Sequence, residues 1–250
     1  MLEDRREAQS HRHYDHAPIV EAIIEIQCQV PTAANLADLL KFHAGVSVDY
    51  PGKQEQHEVE ISVSGPANAA NTAGRQVGYR FISQDQKQVV MVSLRSFAFS
   101  RLAPYDRWES MCAEARRLWE IYRSTLRPIK ITRIGVRYIN RIDVPTQGTG
   151  INLDDYFETA PRIASSLPQN LTSFFMRLQI PIEGAMLLIS ETTALPPGPN
   201  IISTLLDIDV FAQGDNLNGD GVWQDIERLR NEKNRAFEAC ITNKVRDLIK

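Results

Sequence analysis

The segments IVEAIIEIQCQVPT, residues 19–32, and RIGVRYINRIDVPT, residues 133–146, decide how this chain of 250 residues is built. Both alternate apolar with polar residues, as a half-buried strand does, and both end in Val-Pro-Thr. The dipeptide Asn-Leu follows each of them, at residues 35–36 and 152–153. The sequence therefore predicts that the chain contains one structural unit twice.

Each predicted unit has the order strand, short helix, three strands, long helix. In the first unit the strands are residues 18–30, 57–64, 77–83 and 88–101, the short helix is 33–44, and the long helix runs from near Pro104 to Pro128. In the second unit the strands are residues 129–144, 171–182, 185–192 and 200–211, the short helix is 152–165, and the long helix is 222–249. Trp108 and Trp223 stand near the starts of the two long helices. Strands that follow one another directly favour antiparallel pairing, so the predicted class is α+β, with the long helices packed on one face of the sheet.

These units divide the chain into a flexible charged arm, residues 1–16, a first unit, residues 17–128, and a second unit, residues 129–250. The order of elements is similar to that of the TATA-box-binding-protein-like fold, in which two such halves share one sheet across a pseudo-twofold axis. The resemblance implies one compact molecule, but it does not settle function.

Four segments carry a further resemblance: PIVEAIIEI at 18–26, FAFSRLAPYDRW at 97–108, RIGVRYINRI at 133–142 and NRAF at 234–237. Their order and spacing resemble an uncharacterised bacterial protein family of similar length that is distributed sporadically among genomes. The resemblance implies a bacterial protein whose genes move horizontally, and such a distribution suits an accessory or defence role. It implies no particular activity.

The composition excludes several classes of protein. With 43% hydrophobic and 24% charged residues, the chain is typical of soluble globular proteins. No apolar run approaches the roughly 18 residues that cross a bilayer, and the N-terminus has no signal-peptide pattern. The cysteines, Cys28, Cys112 and Cys240, are far apart and are interpreted as buried thiols in a reducing compartment. We therefore expect a cytoplasmic protein that does not bind a membrane.

The first candidate site is a stripe of arginines on one face of the second-unit strand. Arg133, Arg137 and Arg141 span about 26 Å at roughly 3.3 Å per residue. Guanidinium groups bind carboxylates and phosphates through paired N–H donors, so the stripe suggests an anion site, with Tyr138 or Asn140 nearby.

The repeat offers a structural alternative for the same stripe. The matching strand of the first unit carries Glu21 and Glu25 on its corresponding face. If the two strands pair, these carboxylates neutralise Arg137 or its neighbours as cross-strand ion pairs. Both interpretations remain open from the sequence.

A second candidate combines Arg95 and Arg101 with Phe97 and Phe99, because aromatic rings alternating with arginines are typical of surfaces that stack nucleic-acid bases. The alternative is that both rings pack beneath the long helix. The formal net charge of −3 argues against nucleic-acid binding and favours this alternative.

The remaining polar clusters are weaker. Asp207 and Asp209 share a strand face and suit either a divalent cation or a solvated surface. The loop 215–221 has the composition of a calcium loop but lacks its closing glutamate. The histidines of the arm, His11, His13 and His16, either bind a metal or are unrelated side chains of a flexible segment, and His43 and His57 have no spacing partner. Arg230 and Asn234 interrupt the apolar stripe of the last helix, where they either reach a pocket or cap neighbouring groups.

No catalytic residue set, metal site or cofactor motif is found, so the sequence favours a non-enzymatic binding or regulatory protein. Its ligand would be a protein or a small anion, held by the arginine-bearing sheet face or by the groove between the units. The alternatives are an enzyme or sensor with a small-molecule pocket, and a nucleic-acid-binding accessory protein. A homodimer is left open.

Overall fold

A computed structural model of the chain describes residues 14–63, 70–146, 150–169, 171–214, 217 and 221–250. The described strands are β1 (Ile19–Gln29), β2 (Gly52–Val63), β3 (Ala70–Ile82), β4 (Gln88–Ser93), β5 (Ser96–Leu102), β6 (Lys130–Pro145), β7 (Phe175–Ile182), β8 (Ala185–Ala194) and β9 (Ile201–Gln213). The described helices are α1 (Leu36–Ala44), α2 (Trp108–Leu126), α3 (Val222–Cys240) and α4 (Asn243–Leu248), and a 3-10 turn covers Leu153–Asp155. The protein is therefore of the predicted α+β class.

The nine described strands form one antiparallel sheet in the order β2-β3-β4-β5-β1-β6-β9-β8-β7. The two segments that alternate most clearly in the sequence, β1 and β6, pair at the centre of this order, with Ile24 opposite Val136. The strand β5 flanks β1, and β9 flanks β6. The centre of the sheet is thus built from the two segments that the sequence singles out.

One face of the central strands forms the core, because every second residue is buried there. The fully buried core residues of these strands include Ala22, Ile24, Ile26, Ile134, Val136, Leu206, Ile208 and Val210. The ring of Trp119 in α2 packs on the same face, with its centroid 5.7 Å from that of Phe97 in β5. Burying a valine, leucine or isoleucine side chain contributes about 1.5–3 kcal/mol, so burial of this face stabilises the sheet.

The predicted strand at 88–101 is two strands, β4 and β5, separated by a turn at Leu94 and Arg95. The hydroxyl of Ser93 accepts hydrogen bonds from the backbone N–H groups of Arg95, at 3.1 Å, and Ser96, at 2.9 Å. Serine side chains stabilise turns in this way. Four strands therefore follow α1, where three were predicted. The predicted hairpin before the turn is confirmed, because β3 pairs with β4.

The predicted start of the first long helix near Pro104 is wrong by several residues. The Ala103–Pro104 peptide bond is cis, and α2 begins only at Trp108. Arg107, immediately before it, still has extended backbone angles, φ −154° and ψ 157°.

Two predicted helices are shorter in the structure, and both for the same reason. The predicted short helix at 152–165 is only the 3-10 turn Leu153–Asp155, and the predicted C-terminal helix at 222–249 ends at Cys240. Phe157 and Ile241 form an antiparallel bridge, for which Ile241 takes extended angles of φ −108° and ψ 147°. A residue in a bridge cannot continue a helix, so both helices are interrupted by this pairing.

The part of the predicted arm that the structure describes is bound to the C-terminal region. The hydroxyl of Tyr14 donates to Glu238 at 2.6 Å, and the backbone N–H of His16 donates to the carbonyl of Ile249 at 3.2 Å. Residues 1–13 lie outside the described residues. Cys28 and Cys240 are buried free thiols, as predicted, and Cys112 is partly exposed. No helix in the described part of the chain is long and apolar enough to cross a membrane.

Candidate functional site

A cavity of about 850 Å³ lies where the start of β1, the segment after β5 and the core face of β6 meet α3. From α3 its lining includes Arg230, Lys233, Asn234 and Phe237. Residues spaced by three and four share one face of a helix, so this face of α3 points to the cavity. The opposite side is lined by Tyr105, Trp108, Tyr138 and Asn140. The lining also contains Arg107 and the carboxylates of Asp15, Asp106, Glu109 and Glu238, so the cavity combines aromatic surface with side chains of both charges.

Lys233 is the least expected residue of this lining, because only 6% of its surface is exposed. Its side-chain nitrogen lies 3.5 Å from the centre of the Tyr138 ring and 2.5 Å from Oδ1 of Asn234. Among the described residues no carboxylate forms an ion pair with it. Burial lowers the pKa of Lys233 well below its usual value, and the positive charge of Arg230 lowers it further. The amine is therefore poised to lose its proton, or to keep it when an anion is bound beside it.

Arg230 lies one helical turn before Lys233 and is held by Glu227. Its Nη1 donates to Oε1 of Glu227 at 2.7 Å, and its guanidinium lies over the Trp108 ring, 5.2 Å from the centroid. The indole N–H of Trp108 donates to the other oxygen of Glu227 at 2.5 Å. Arginine has five N–H donors, and this contact within the described residues uses one of them. The guanidinium is thus fixed in place with donors left for a ligand carboxylate or phosphate.

Two tyrosines complete the polar lining. The hydroxyls of Tyr105 and Tyr138 are hydrogen-bonded to each other at 2.7 Å. Burial raises the pKa of Tyr105 to about 12 and that of Tyr138 well above its ordinary value. Both hydroxyls are therefore neutral at physiological pH, and since one of them donates to the other, one hydroxyl hydrogen is left for a ligand. Asn140 donates to the backbone carbonyl of Leu206 at 3.0 Å, so its amide is oriented by the sheet.

The predicted arginine stripe lies on the other face of β6. Tyr138 and Asn140 are buried on the core face, whereas Arg133, Arg137 and Arg141 alternate with them on the partly exposed face. Neighbouring residues of a strand point to opposite faces of a sheet. The structure therefore does not bring the three arginines together with Tyr138 or Asn140, and only the last two reach the cavity.

Arg133 is the most enclosed residue of the stripe and is bound on two sides. Its Nη1 bonds the carboxylate of Glu25, and its Nη2 lies 2.8 Å from Oδ2 of Asp209. Its guanidinium lies over the Phe211 ring, 4.2 Å from the centroid. Gly135 leaves room for the Arg133 guanidinium, since a Cβ at residue 135 would lie 2.8 Å from Nη1 of Arg133. The pairing with Glu25 is the cross-strand ion pair that the structural alternative predicted.

The other two arginines are paired with residues of the second predicted unit. Arg137 bonds Asp207 through Nε at 2.8 Å and Nη2 at 2.6 Å, and these bonds raise the pKa of Arg137. Arg141 bonds Asp143 at 3.0 Å and the hydroxyl of Ser203 at 3.0 Å. Asp207, a candidate cation ligand in the sequence, is thus an arginine partner, as is Asp209. The stripe is an ion-pair network along the sheet.

The second predicted combination is separated in the same way. Phe97 and Phe99 are fully buried in the core, so the packing alternative for these two rings is confirmed. Arg95 is exposed in the turn before β5, and Arg101 is partly buried near its end. These four residues do not present aromatic rings on a surface.

The described residues contain no group of three or more His, Cys, Asp or Glu side chains that could hold a metal ion. His16 lines the cavity. His11, His13 and most of the 215–221 loop lie outside the described residues.

A further buried ionisable group, which the sequence did not indicate, lies on β8. Glu191 is 0% exposed, and within the described residues neither of its carboxylate oxygens has a hydrogen-bond partner. Burial raises the pKa of Glu191 to about 8. Burial also raises the pKa of the nearby Cys240 thiol to about 12, with a smaller contribution from the negative charge of Glu191.

Another cavity, of about 980 Å³, is lined by residues 150–154, 161–163, 169, 171, 172 and 174 and by the adjoining ends of β8 and β9. Its charged lining residues, Asp154 and Arg162, are exposed. The cavity beneath α3 is therefore the better candidate, because of the two cavities only this one is lined by a buried ionisable side chain such as Lys233.

Comparisons with known proteins do not indicate a function for this chain. No protein-family model matches the chain, and no curated protein matches it. Among solved structures, the chain is similar to DynU16, a protein from the dynemicin biosynthetic locus, at 10% identity over 89% of this chain and 95% of that one, with a TM-score of 0.19. A TM-score this low does not indicate a shared fold or a shared function.

Proposed function

We propose that the protein binds a small anionic ligand in the cavity beneath α3, and that Arg230 and Lys233 hold its negative charge. The observation that carries the proposal is the burial of Lys233, 6% exposed, in the lining of a cavity that also contains Arg230. A charged amine is costly to bury unless an anion is paired with it. A ligand carboxylate or phosphate supplies that anion and gives two cations on one helix face a shared partner.

We also infer that the fold is a tandem duplication, and the register of the central strands supports this. When residue 19 is matched with residue 133, Ile23 matches Arg137, and these two residues are paired with each other. A twofold axis between them also relates the adjacent pairs, Ala22 with Tyr138 and Ile24 with Val136. In this arrangement α2 and α3 pack on the same face, since Trp119 contacts Phe97 and Lys233 contacts Tyr138, both on the core face.

The duplication makes the polar face of α3 informative. Matching Trp108 with Trp223 places Arg230, Lys233 and Asn234 at the positions of three core residues of α2, namely Ala115, Leu118 and Trp119. Those α2 residues are 0%, 0% and 2% exposed. Replacing core residues with polar ones lowers the stability of the fold unless the polar groups bind a partner or a ligand. The difference between the helices therefore supports a binding role for α3.

Calorimetry on the full chain, with inorganic phosphate, lactate and pyruvate as probes, tests the proposal. Lys233→Met and Arg230→Met should each weaken binding at least about tenfold, which corresponds to ~1.4 kcal/mol. The matched control is Arg235→Met, since Arg235 is on the same helix, 44% exposed, and paired with Glu232. Native mass spectrometry of the purified protein adds an independent search for a retained anion.

Two results would overturn this assignment. The first is an equal loss of binding in the Arg235 control, which would show that the charge of the whole helix is responsible. The second is binding that survives in both cavity variants and is lost in Arg137→Met, which would place the site on the arginine face of the sheet.

A further inference from the structure

We propose that the cavity takes 2-oxo acids and that Lys233 forms an imine with their carbonyl carbon. This names the ligand class for the proposed anion site and therefore rests on that proposal. It goes beyond anion binding because it makes Lys233 a nucleophile, with Arg230 as the carboxylate partner.

The surroundings of Lys233 suit a nucleophilic amine. A lysine attacks a carbonyl only when it is unprotonated, and desolvation beside another cation is the usual way in which proteins remove the proton. Lys233 meets both conditions, because it is 6% exposed and lies one helical turn from Arg230. Its nitrogen contacts Asn234 and the Tyr138 ring, neither of which would hold a positive charge as strongly as a carboxylate.

The spacing of the two cations suits a ligand with adjacent carboxylate and carbonyl groups. Side chains three residues apart on a helix start about 5–6 Å from each other. In a 2-oxo acid the carboxylate carbon is bonded directly to the carbonyl carbon, so one molecule can offer its carboxylate to Arg230 and its carbonyl carbon to Lys233. The paired N–H donors of a guanidinium match a carboxylate. The rings of Trp108 and Phe237, in the same lining, offer apolar surface to the rest of the molecule.

The reaction needs no oxidant or reductant. The nitrogen lone pair forms the N–C bond while the carbonyl π electrons move to oxygen, which gains a proton as the nitrogen loses one. The resulting hydroxyl then leaves as water after a second protonation while the nitrogen lone pair forms the C=N bond, and the nitrogen releases its remaining proton, which balances the proton taken up. The products are one imine and one water. Tyr105 and Tyr138 lie in the same lining, and whichever of their two hydroxyls does not donate to the other can donate to the carbonyl oxygen.

Reductive trapping tests the inference on the full chain. The protein is incubated with pyruvate, 2-oxoglutarate or phenylpyruvate in the presence of cyanoborohydride, and the product is analysed by intact mass and peptide mapping. The expected result is one adduct per chain, on Lys233, with the mass of the oxo acid less one oxygen atom. Lys233→Met should abolish this adduct, whereas Lys244→Met should retain it, since Lys244 is an exposed lysine paired with Asp155.

The outcomes separate this inference from the proposed function. Lactate carries the same carboxylate without the carbonyl group, so its binding tests the anion site alone. Lactate binding without trapping of any oxo acid overturns the imine and leaves the anion site standing, and absence of both overturns both. Trapping spread over exposed lysines, with Lys233 unmodified, also overturns the imine. Because the site is mapped on the wild-type chain, the result does not depend on the folding of a variant.

Discussion

The side-chain nitrogen of Lys233 lies 3.5 Å from the centre of the Tyr138 ring, and this contact joins α3 to the central strand β6. A cation over an aromatic ring gains about 0.5–2 kcal/mol, which favours the charged amine. Burial disfavours the charged amine more strongly than the ring favours it, so the pKa of Lys233 lies well below its usual value. Lys233 therefore lowers the stability of the fold at neutral pH.

The first prediction is that Lys233→Met stabilises the protein. Methionine has a similar volume and no charge, so the free energy of unfolding near neutral pH should rise by about 1–3 kcal/mol. In the unfolded chain this lysine titrates at about 10.4, above its folded value, so unfolding takes up a proton between the two pKa values and wild-type stability rises with pH. The advantage of the variant should shrink toward about pH 10, as measured by urea unfolding at both pH values. A variant less stable than wild type near neutral pH would contradict this account.

The second prediction concerns ligand binding. An anion beside Lys233 raises the pKa of that amine, so binding of lactate or phosphate should be accompanied by uptake of up to about one proton. Affinity should consequently fall as pH rises above the folded pKa. Calorimetry in two buffers with different ionisation enthalpies measures the uptake. Lys233→Met should bind more weakly and take up no proton, and unchanged uptake in that variant would assign the titration to another group.

The central sheet could be predicted from sequence because its alternation is local. The same strands show what local patterns miss: Ser93 and Ser96 form a turn that contains no glycine or proline, so residues 88–101 resemble one strand. The bridge between Phe157 and Ile241 joins residues far apart in sequence and interrupts two predicted helices, which no local period can show.

The candidate site was predictable only in part. In the sequence, Arg230 and Asn234 interrupt an apolar helix stripe, and Tyr138 and Asn140 lie on the candidate strand, but the arginines grouped with them are on its opposite face. Nothing in the sequence marks Lys233 as a site residue, because a lysine between polar residues on a helix is normally exposed to solvent. Its burial follows from the position of α3 against β6, which depends on tertiary contacts.

The third prediction compares two arginines of the same strand. Arg133 is 15% exposed and its removal leaves Glu25 and Asp209 unpaired, whereas Arg137 is 45% exposed and has one partner, Asp207. Arg133→Met should lower the free energy of unfolding by about 2–4 kcal/mol, because enclosed charges lose their counterion. Arg137→Met should lower it by no more than about 1 kcal/mol, since water screens an exposed pair. Equal losses in chemical denaturation would show that enclosure does not distinguish the two pairs.

The fourth prediction is that Gly135→Ala acts through Arg133. The added Cβ would lie 2.8 Å from Nη1, so the guanidinium must move and its ion pairs weaken. The expected loss is roughly 1–2 kcal/mol, and it should vanish in an Arg133→Met background, where alanine even reduces the entropy cost of glycine. A double-mutant cycle by urea unfolding measures this coupling. Additive losses would mean that the backbone of Gly135, rather than the crossing arginine, is what the methyl group disturbs.

The fifth prediction concerns the buried carboxyl of Glu191, whose pKa burial raises to about 8. An unfolded glutamate titrates at about 4.3, so between these values the folded chain holds a proton that the unfolded chain releases. Wild-type stability should therefore fall as pH rises from about 4.3 to about 8, by roughly 3–5 kcal/mol at 1.36 kcal/mol per pKa unit.

Glu191→Gln removes this titration while keeping the shape of the side chain. The variant should match wild type near pH 4–5 and exceed its stability near pH 8, by about the amount that wild type has lost. Thermal or urea unfolding across this range measures both curves. Parallel curves would show that Glu191 is already ionised in the folded protein, which requires a counterion beside its two buried oxygens.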